Sequence, residues 1–378
     1  MVFRRLLPLF GLLLGIGAAH AATPLPSPPA IAGDSHILLD FRTGQVLAEQ
    51  NADKRVDPAS ITKIMTSYVV FKQLETGAIS LDDMVTISEK AWRAPGSRMF
   101  IEVGKQISVE DLLKGMIIQS GNDASIALAE HTAGSEDSFA ELMNQYAERL
   151  GMENSHFINA TGLPAEDHYV TARDVAILSR ALIAESPEHY GWYAQHEFVW
   201  NGIRQSNRNL LLYRDDRVDG IKTGHTESAG YCLAASAVEG DMRLISVVMG
   251  TESDRARADA SQALLNYGFR FFETHKLYTA GTELTRAKVW KGATDEVGLM
   301  PAEDIYVTIP RGRYDQLEAV MDIRETLVAP LTSNQVVGVV RVSLDGEELA
   351  TAPLTPAAPV AEGSLFRRAV DTILMMFE

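Results

Sequence analysis

The sequence predicts an α+β domain over residues 22–274, followed by a small all-β domain over residues 275–358 and a C-terminal helix. Strand-like hairpins stand at both ends of the first segment, and the residues between them have the spacing of helices. One sheet built from distant parts of the chain, with helices on its faces, accounts for both observations. Beyond Thr274 the pattern changes to short strand-like runs, which predicts the second domain. At 378 residues the chain is long enough for two domains.

The chain begins with the three-part pattern of a secretory signal peptide. Arg4 and Arg5 supply the positive charge, and an apolar run follows over residues 6–18. Residues 19–21, Ala-His-Ala, form an A-x-A cleavage site. The apolar run is shorter than the ~20 residues that a membrane-spanning helix needs, which favours cleavage over a retained anchor. We therefore expect residues 1–21 to be removed and the mature protein to be exported.

The two hairpins and the helices of the first domain follow from residue patterns. The hairpin strands are residues 37–40 with 46–48, and residues 231–238 with 243–249 around a turn at 239–241. Thr171 and Asp174 form a variant of the capping box at the start of the last predicted helix. The predicted helices are residues 60–76, 109–118, 124–132, 137–150 and 171–184.

The second domain is predicted from strand-like runs at residues 305–309 and 336–344. Asp345-Gly346 follows the second run and is a strong hairpin-turn signal. The Pro-rich residues 356–359 then predict a linker. We therefore assign residues 359–378 to the end of the linker and a terminal helix.

The tail, residues 364–378, has the pattern of an amphipathic helix. Arg367 and Arg368 lie off its apolar stripe, where they would attract anionic lipid headgroups. At 15 residues the tail is too short to span a bilayer, and it should become ordered when its stripe is buried. We expect attachment to a membrane surface, and the alternative is docking onto the chain's own β domain. The stripe consists of Phe366, Val370, Ile373, Leu374 and Phe377.

Composition excludes some functions. The chain carries 34 lysines and arginines against 50 aspartates and glutamates, so its formal charge of −16 should repel nucleic acids. The only cysteine, Cys232, lies in an apolar run, which predicts a buried, unreactive thiol. His196-Glu197 lacks the second histidine of a zinc protease, and no metal site or cofactor is expected.

Three short motifs occur in a fixed order: Ser60-Ile61-Thr62-Lys63, Ser120-Gly121-Asn122 and Lys222-Thr223-Gly224. Each alone is weak, since Ser-x-x-Lys arises by chance in many helices and Ser-Gly-Asn is often only a turn. Residues i and i+3 of a helix lie about 5–6 Å apart at Cβ, so Lys63 can reach the Ser60 hydroxyl. A lysine can take the serine's proton if burial or another cation lowers its pKa, and Lys222 is the expected second cation.

The ordered trio matches the signature of penicillin-binding proteins and class A β-lactamases. The flanking residues extend the match, since residues 58–66, 119–124 and 219–226 closely resemble the D-alanyl-D-alanine carboxypeptidase family. The similarity covers nearly the whole mature chain. It implies a penicillin-binding or β-lactamase-like catalytic domain, with an antiparallel sheet, helices on its faces and a helical subdomain.

The resemblance implies roles for residues of all three motifs. Ser60 is the expected acylated nucleophile, Lys63 its general base, and Ser120 a proton relay to the leaving amine. The Asn122 amide is expected to bind the peptide backbone of the substrate. The backbone N–H of Ser60, at the start of its predicted helix, lacks an intrahelical partner and can face an oxyanion. The resemblance places the second donor of this oxyanion hole at the His225 N–H.

Five further residues are expected to bind substrate. Lys222, Thr223 and Gly224 would lie on an edge strand, where the two side chains contact the substrate carboxylate or assist proton transfer. The glycine would let a substrate strand approach closely. Arg208 and Arg257 match the family in spacing and would hold the same carboxylate.

The resemblance implies a periplasmic serine carboxypeptidase that trims peptidoglycan stem peptides and is inhibited covalently by β-lactams. No Glu-x-x-Leu-Asn segment, which deacylates class A β-lactamases, follows Asn122, so a β-lactam acyl-enzyme should persist. Three alternatives remain: a DD-endopeptidase, a weak β-lactamase, or a poorly active penicillin-binding scaffold of the envelope. The stretch at residues 94–97 is shorter than in similar proteins, which leaves the peptide preference open.

Overall fold

The computed structural model describes residues 4–6 and 25–377. The predicted signal peptide therefore lies outside the described residues, apart from residues 4–6, whose backbone forms a short strand. In chain order the strands are β1 (Arg4–Leu6), β2 (Ser35–Asp40), β3 (Val46–Gln50), β4 (Met84–Thr86), β5 (Gln106–Ser108), β6 (Glu197–Trp200), β7 (Ile203–Ser206), β8 (Val218–Thr226), β9 (Gly230–Glu239), β10 (Met242–Thr251), β11 (Phe272–Tyr278), β12 (Thr285–Trp290), β13 (Glu296–Pro301), β14 (Ile305–Pro310), β15 (Leu317–Ile323), β16 (Leu327–Val328), β17 (Gly338–Leu344) and β18 (Glu347–Pro356).

The helices alternate with these strands mainly in the first two thirds of the chain. They are α1 (Thr62–Glu75), α2 (Glu89–Trp92), α3 (Val109–Gln119), α4 (Asn122–Ala133), α5 (Glu136–Leu150), α6 (Ala172–Glu185), α7 (Pro187–Tyr190), α8 (Asp254–Phe271) and α9 (Leu365–Leu374). The chain divides into two compact units. One is formed by residues 27–270, and the other by residues 271–378 with the described residues before Ser27.

The first unit contains a five-stranded antiparallel sheet in the order β3-β2-β10-β9-β8. Both predicted hairpins, β2–β3 and β9–β10, are confirmed. Ile37 and Ile245 lie on one face of the sheet, in the same core as residues of α1 and α6. On the opposite face α8 packs so closely that a Cβ at Gly268 would lie 2.4 Å from Leu244 Cδ1. The sheet is therefore covered by helices on both faces, as predicted.

The helical part of this unit surrounds α1, which is buried from Thr62 to Phe71. A helix that is buried around its circumference needs apolar partners on every side, and α3, α4 and α5 contribute to its core. The helix predicted from Ser60 begins instead as a 3-10 turn, Ala59–Ile61, and becomes α-helical at Thr62. At α6, Thr171 Oγ1 accepts the Asp174 N–H (3.1 Å), which is the capping bond predicted there.

The second unit is mostly antiparallel sheet, in the order β1-β15-β17-β18-β13-β12-β16, with a separate β11–β14 pair. Its predicted hairpin is confirmed, since Asp345 (φ 53°) and Gly346 (φ 83°) turn β17 into β18. Two positive φ angles in a two-residue turn match the right-handed twist of the paired strands. Val307, Val340 and Leu354 are fully buried in its core.

The predicted linker is not a free segment. Strand β18 continues through Pro356, and Val360 is buried and pairs with Leu331. Glu362 likewise pairs with Gly292. The prolines predicted a segment without contacts to the domain. The residues that follow them instead form backbone pairs within the second unit, and Val360 packs its side chain into the core of that unit.

Helix α9 lies against the second unit through its polar side. The Asp371 carboxylate accepts the Lys291 N–H (2.5 Å), and Arg367 forms an ion pair with Asp295. Arg368 pairs with Glu362. The two arginine charges, expected to be available to lipid headgroups, are thus paired with carboxylates of the protein. Within the described part of the chain, no helix combines the length and apolarity needed to cross a membrane.

Candidate active site

The three motifs meet at a cleft of about 650 Å³ in the first unit. Two of the ten predicted site residues, Lys63 and Lys222, lie behind its wall and are only 1% and 3% exposed. The other eight line the cleft: Ser60, Ser120, Asn122, Arg208, Thr223, Gly224, His225 and Arg257. Residues up to about 200 positions apart in the sequence are therefore brought to one place, as the family resemblance implied.

Two glycines leave space for the turn that carries Ser60. A Cβ at Gly162 (φ +82°) would lie 1.7 Å from the Ala59 carbonyl oxygen. A Cβ at Gly224 would lie 3.1 Å from the Pro58 carbonyl oxygen and 3.2 Å from Ala59 Cβ. The missing side chain of Gly224 makes room for the Ser60 turn, and the approach of a substrate strand at this glycine stays a prediction. Both glycines let neighbouring backbone approach the nucleophile closely.

Lys63 has three oxygen partners. Its Nζ lies 3.0 Å from Ser60 Oγ, 2.7 Å from Asn122 Oδ1 and 2.6 Å from the Thr161 carbonyl oxygen. The last two oxygens can only accept hydrogen bonds, so they take both N–H groups of the neutral amine. The remaining lone pair must then point to the third partner, the Ser60 hydroxyl. This geometry orients Lys63 to receive the serine proton.

Charge and burial favour the neutral form of Lys63. Burial and, to a smaller extent, the Arg208 guanidinium lower its pKa, the Asp123 carboxylate opposes both, and the resulting pKa is about 7. We expected Lys222 to be the second cation, and the positive charges of Lys63 and Lys222 do disfavour each other. Arg208 is a further cation that lowers the pKa of Lys63. Burial and the charges of Lys63, Arg208 and Arg257 hold the pKa of Lys222 itself well below its usual range.

Ser120 ends α3 in the left-handed conformation (φ 68°), which turns its side chain to the cleft wall. Its Oγ is buried, and no hydrogen-bond partner for it lies among the described residues. Ser120 Oγ is therefore not hydrogen-bonded to Lys63 in this structure, and its role as a proton relay stays a prediction. A buried hydroxyl without a hydrogen-bond partner destabilises the folded state by about 1–3 kcal/mol. A substrate group that bonds to Ser120 Oγ would remove this penalty.

The Asn122 amide has a fixed orientation. Its Oδ1 accepts from Lys63, and its Nδ2 donates to the Pro95 carbonyl (2.6 Å). An amide nitrogen carries two hydrogens, so one is left for a ligand in the cleft. Pro95 belongs to residues 94–97, the stretch that is shorter than in similar proteins. This stretch therefore contacts the second motif directly.

Strand β8 carries the third motif and is the edge of its sheet, as predicted. Arg257 lies in the first turn of α8, and its Nη1 donates to the Gly224 carbonyl (2.9 Å). Arg208 is exposed and lines the same cleft. Asp254 is the only carboxylate among the described lining residues. The excess of cations suits an anionic group.

Sequence reasoning did not assign a role to Thr161 or to Asp123. Thr161 contributes its backbone carbonyl, which every residue possesses, so its side-chain type gave no signal. Asp123 directly follows the second motif, within residues 119–124 that resemble the family, but its residue type alone does not indicate a contact with backbone amides. Cys232 is buried as predicted, and burial raises the pKa of its thiol to about 11.

Comparison with known proteins agrees with this geometry. Residues 22–253 match the family described as D-alanyl-D-alanine carboxypeptidase, and residues 272–362 match the C-terminal domain of penicillin-binding protein 5. The chain belongs to the D-alanyl-D-alanine carboxypeptidase family. It is 46% identical over 375 residues to D-alanyl-D-alanine carboxypeptidase DacA of Escherichia coli K12, covering 96% of this chain and 93% of the relative.

Solved structures of other penicillin-binding proteins agree as well. Penicillin-binding protein 5 of Haemophilus influenzae is 42% identical, with a TM-score of 0.85 over 89% of this chain and all of that chain. Penicillin-binding protein D2 of Listeria monocytogenes, solved with ampicillin bound, is 30% identical, with a TM-score of 0.59 over 63% of this chain and 98% of that one. The activity of this carboxypeptidase-family chain is accordingly serine-type D-alanyl-D-alanine carboxypeptidase activity, as predicted, and the alternatives are not favoured.

Proposed function

We propose that this carboxypeptidase removes the terminal D-alanine of peptidoglycan stem peptides through an acyl-enzyme on Ser60. The observation that carries the proposal is the buried Lys63 amine, whose two other oxygen partners direct its lone pair to Ser60 Oγ. Its pKa of about 7 leaves much of the amine neutral at physiological pH. A serine with such a neighbour is an activated nucleophile.

Acylation requires two proton transfers, one from the Ser60 hydroxyl and one to the leaving amine. Lys63 takes the hydroxyl proton while Ser60 Oγ attacks the carbonyl carbon between the last two D-alanines. The backbone N–H groups of Ser60 and His225 stabilise the oxyanion. Ser120 passes a proton from the Lys63 ammonium to the departing amine, and the C–N bond breaks. Free D-alanine leaves, and water later hydrolyses the ester and regenerates the serine.

The cations of the cleft hold the substrate's C-terminal carboxylate. Arg208 is exposed in the cleft, and Arg257 lines it from the first turn of α8. Lys222 is buried in β8, behind the cleft wall. Guanidinium groups bind carboxylates with two parallel hydrogen bonds, which fixes the position of the scissile bond relative to Ser60. We infer that the chain acts on free C-terminal D-alanine rather than on internal bonds.

This preference can be measured. A stem pentapeptide ending in D-Ala-D-Ala should lose its terminal residue and give the tetrapeptide, measured by liquid chromatography with mass detection. The same peptide with a C-terminal carboxamide should react at least about tenfold more slowly, because the cations lose their ionic partner. Equal rates on both peptides, or faster cleavage of a cross-linked peptide dimer, would instead favour the endopeptidase alternative.

We also propose that α9 attaches the exported protein to the outer face of the inner membrane. Its contacts with the second unit involve Asp371 and Arg367, whereas Phe366 and Phe377 are 81% and 85% exposed. The polar side of the helix is thus held to the protein, and the apolar stripe faces outward. Because both arginines have carboxylate partners, attachment depends mainly on apolar burial rather than on headgroup attraction.

Removal of residues 364–378 should therefore move the protein from the membrane fraction to the soluble periplasmic fraction with its peptidase activity intact. A Phe366→Ser/Ile373→Ser variant is the matched control, because it keeps Arg367 and Asp371 but interrupts the stripe. It should also become soluble, as judged by immunoblotting of fractions. A full-length protein that is already soluble after gentle lysis contradicts the proposal.

A further inference from the structure

The Asp123 carboxylate is almost completely buried beside the second motif. It does not line the cleft, and instead it faces the backbone of residues 95–101, which we call the rim segment. Its oxygens accept the N–H groups of Met99 (2.9 Å), Phe100 (2.9 Å) and Ile101 (3.3 Å). One carboxylate therefore satisfies three consecutive backbone donors.

The rim segment is also bound to the residue before Asp123. The Asn122 N–H donates to the Ser97 carbonyl (2.7 Å), and its Nδ2 donates to the Pro95 carbonyl (2.6 Å). A Cβ at Gly121 would lie 2.8 Å from Asp123 Oδ1 and 3.2 Å from the Met99 nitrogen, so this approach requires glycine. The rim segment and the second motif thus form one hydrogen-bonded structure.

One residue of the rim segment adopts a conformation that needs support. Phe100 has a φ of +68°, and its side chain is half exposed. A bulky residue in the left-handed region costs on the order of 1 kcal/mol and persists only where its surroundings hold it. The Asp123 carboxylate accepts the Phe100 N–H directly, so it is the contact that holds this conformation.

We propose that Asp123 is a positioning residue for the Lys63 site, acting through the rim segment and Asn122. By fixing residues 99–101 it keeps the Pro95 carbonyl on Asn122 Nδ2, and this bond keeps Asn122 Oδ1 aimed at Lys63. The negative charge also favours the ammonium form of Lys63, against the opposite effect of Arg208. The inference rests on the proposed role of Lys63 as the base.

The isosteric variant Asp123→Asn separates these effects. It keeps one acceptor oxygen but loses the charge, so hydrogen exchange at the amides of residues 99–101 should quicken at least tenfold. The rate of penicillin acylation should fall about tenfold above pH 8, where Lys63 is neutral in both proteins. In the pH–rate profile of acylation, the acid limb is the rise that accompanies deprotonation of Lys63. This limb should move to lower pH, because the Lys63 ammonium loses a stabilising negative charge while Arg208 and Lys222 remain.

Asp174→Asn is the matched control. Asp174 is also a buried carboxylate that accepts a backbone N–H, from Asn154 (3.0 Å), and a hydroxyl, from Ser155 (2.7 Å), but it has no contact with the rim segment or Lys63. Its variant should lower thermal stability without moving the acid limb. If Asp123→Asn also leaves the limb in place, or moves it to higher pH, the inference is wrong.

Two further measurements keep the test decisive. In the wild type, hydrogen exchange at the amides of residues 99–101 should be slow, and fast exchange there overturns the inference without any variant. If Asp123→Asn does not fold, Phe100→Gly can be added, because glycine adopts the positive φ without strain. These exchange results do not depend on D-alanine release, so failure of the proposed function would be recognised separately by the peptide assay.

Discussion

A Ser60→Ala variant should lose D-alanine release and covalent labelling by a fluorescent penicillin together. Both reactions form an ester on the same oxygen, and Ser60 is the hydroxyl that bonds to the Lys63 amine (3.0 Å). Ser120 also lines the cleft, but it has no such bond among the described residues and cannot replace the nucleophile. We expect a loss of about 10³-fold or more in the acylation rate.

Mass spectrometry of the penicillin-treated wild type should place the adduct on the peptide that contains Ser60. The adduct should persist, because the only carboxylate among the described lining residues, Asp254, interacts electrostatically with Arg257. Ser120→Ala is the control variant, which should still be labelled at Ser60, although more slowly. Labelling at another residue in Ser60→Ala contradicts the assignment, and rapid antibiotic turnover by the wild type favours a β-lactamase.

The parts of the fold that were predicted correctly depend on side-chain pattern. The β17–β18 hairpin follows from Asp345-Gly346, because few other residues adopt two successive positive φ angles. The β9–β10 hairpin follows from two apolar runs around a short polar turn. Such local signals are carried by the residues that form the element, so no tertiary information is needed.

The parts that were not predicted depend on distance in three dimensions. The Thr161 carbonyl and the Asp123 contacts with backbone amides leave no trace in residue type. Arg208 lowers the pKa of Lys63 because a loop brings its charge close to the buried amine. Residues 356–359 have a linker composition, yet Val360 pairs with Leu331 and is buried. Composition indicates how much conformational entropy a segment loses when it becomes ordered. It does not show the tertiary contacts that compensate for this loss.

Lys63→Ala should abolish general-base assistance while leaving Ser60 and the oxyanion donors in place. The acylation rate should fall by about 10²–10⁴-fold, which is the usual size of this contribution. The variant should still fold, because it removes a buried amine whose desolvation is unfavourable. It leaves Asn122 Oδ1 and the Thr161 carbonyl without a donor, at about 1–3 kcal/mol each.

The pH dependence makes this prediction specific. In the wild type the base must be neutral, so the acylation rate should rise with pH through the Lys63 pKa of about 7 and level off above it. In Lys63→Ala the residual rate should lose that rise, because the titrating group is gone. Lys63→Arg should be as inactive as the alanine variant, since a guanidinium keeps its proton at every accessible pH. Stopped-flow acylation by penicillin between pH 5 and pH 9 would measure all three proteins, and a rise through about pH 7 that survives in Lys63→Ala would assign the base to another group.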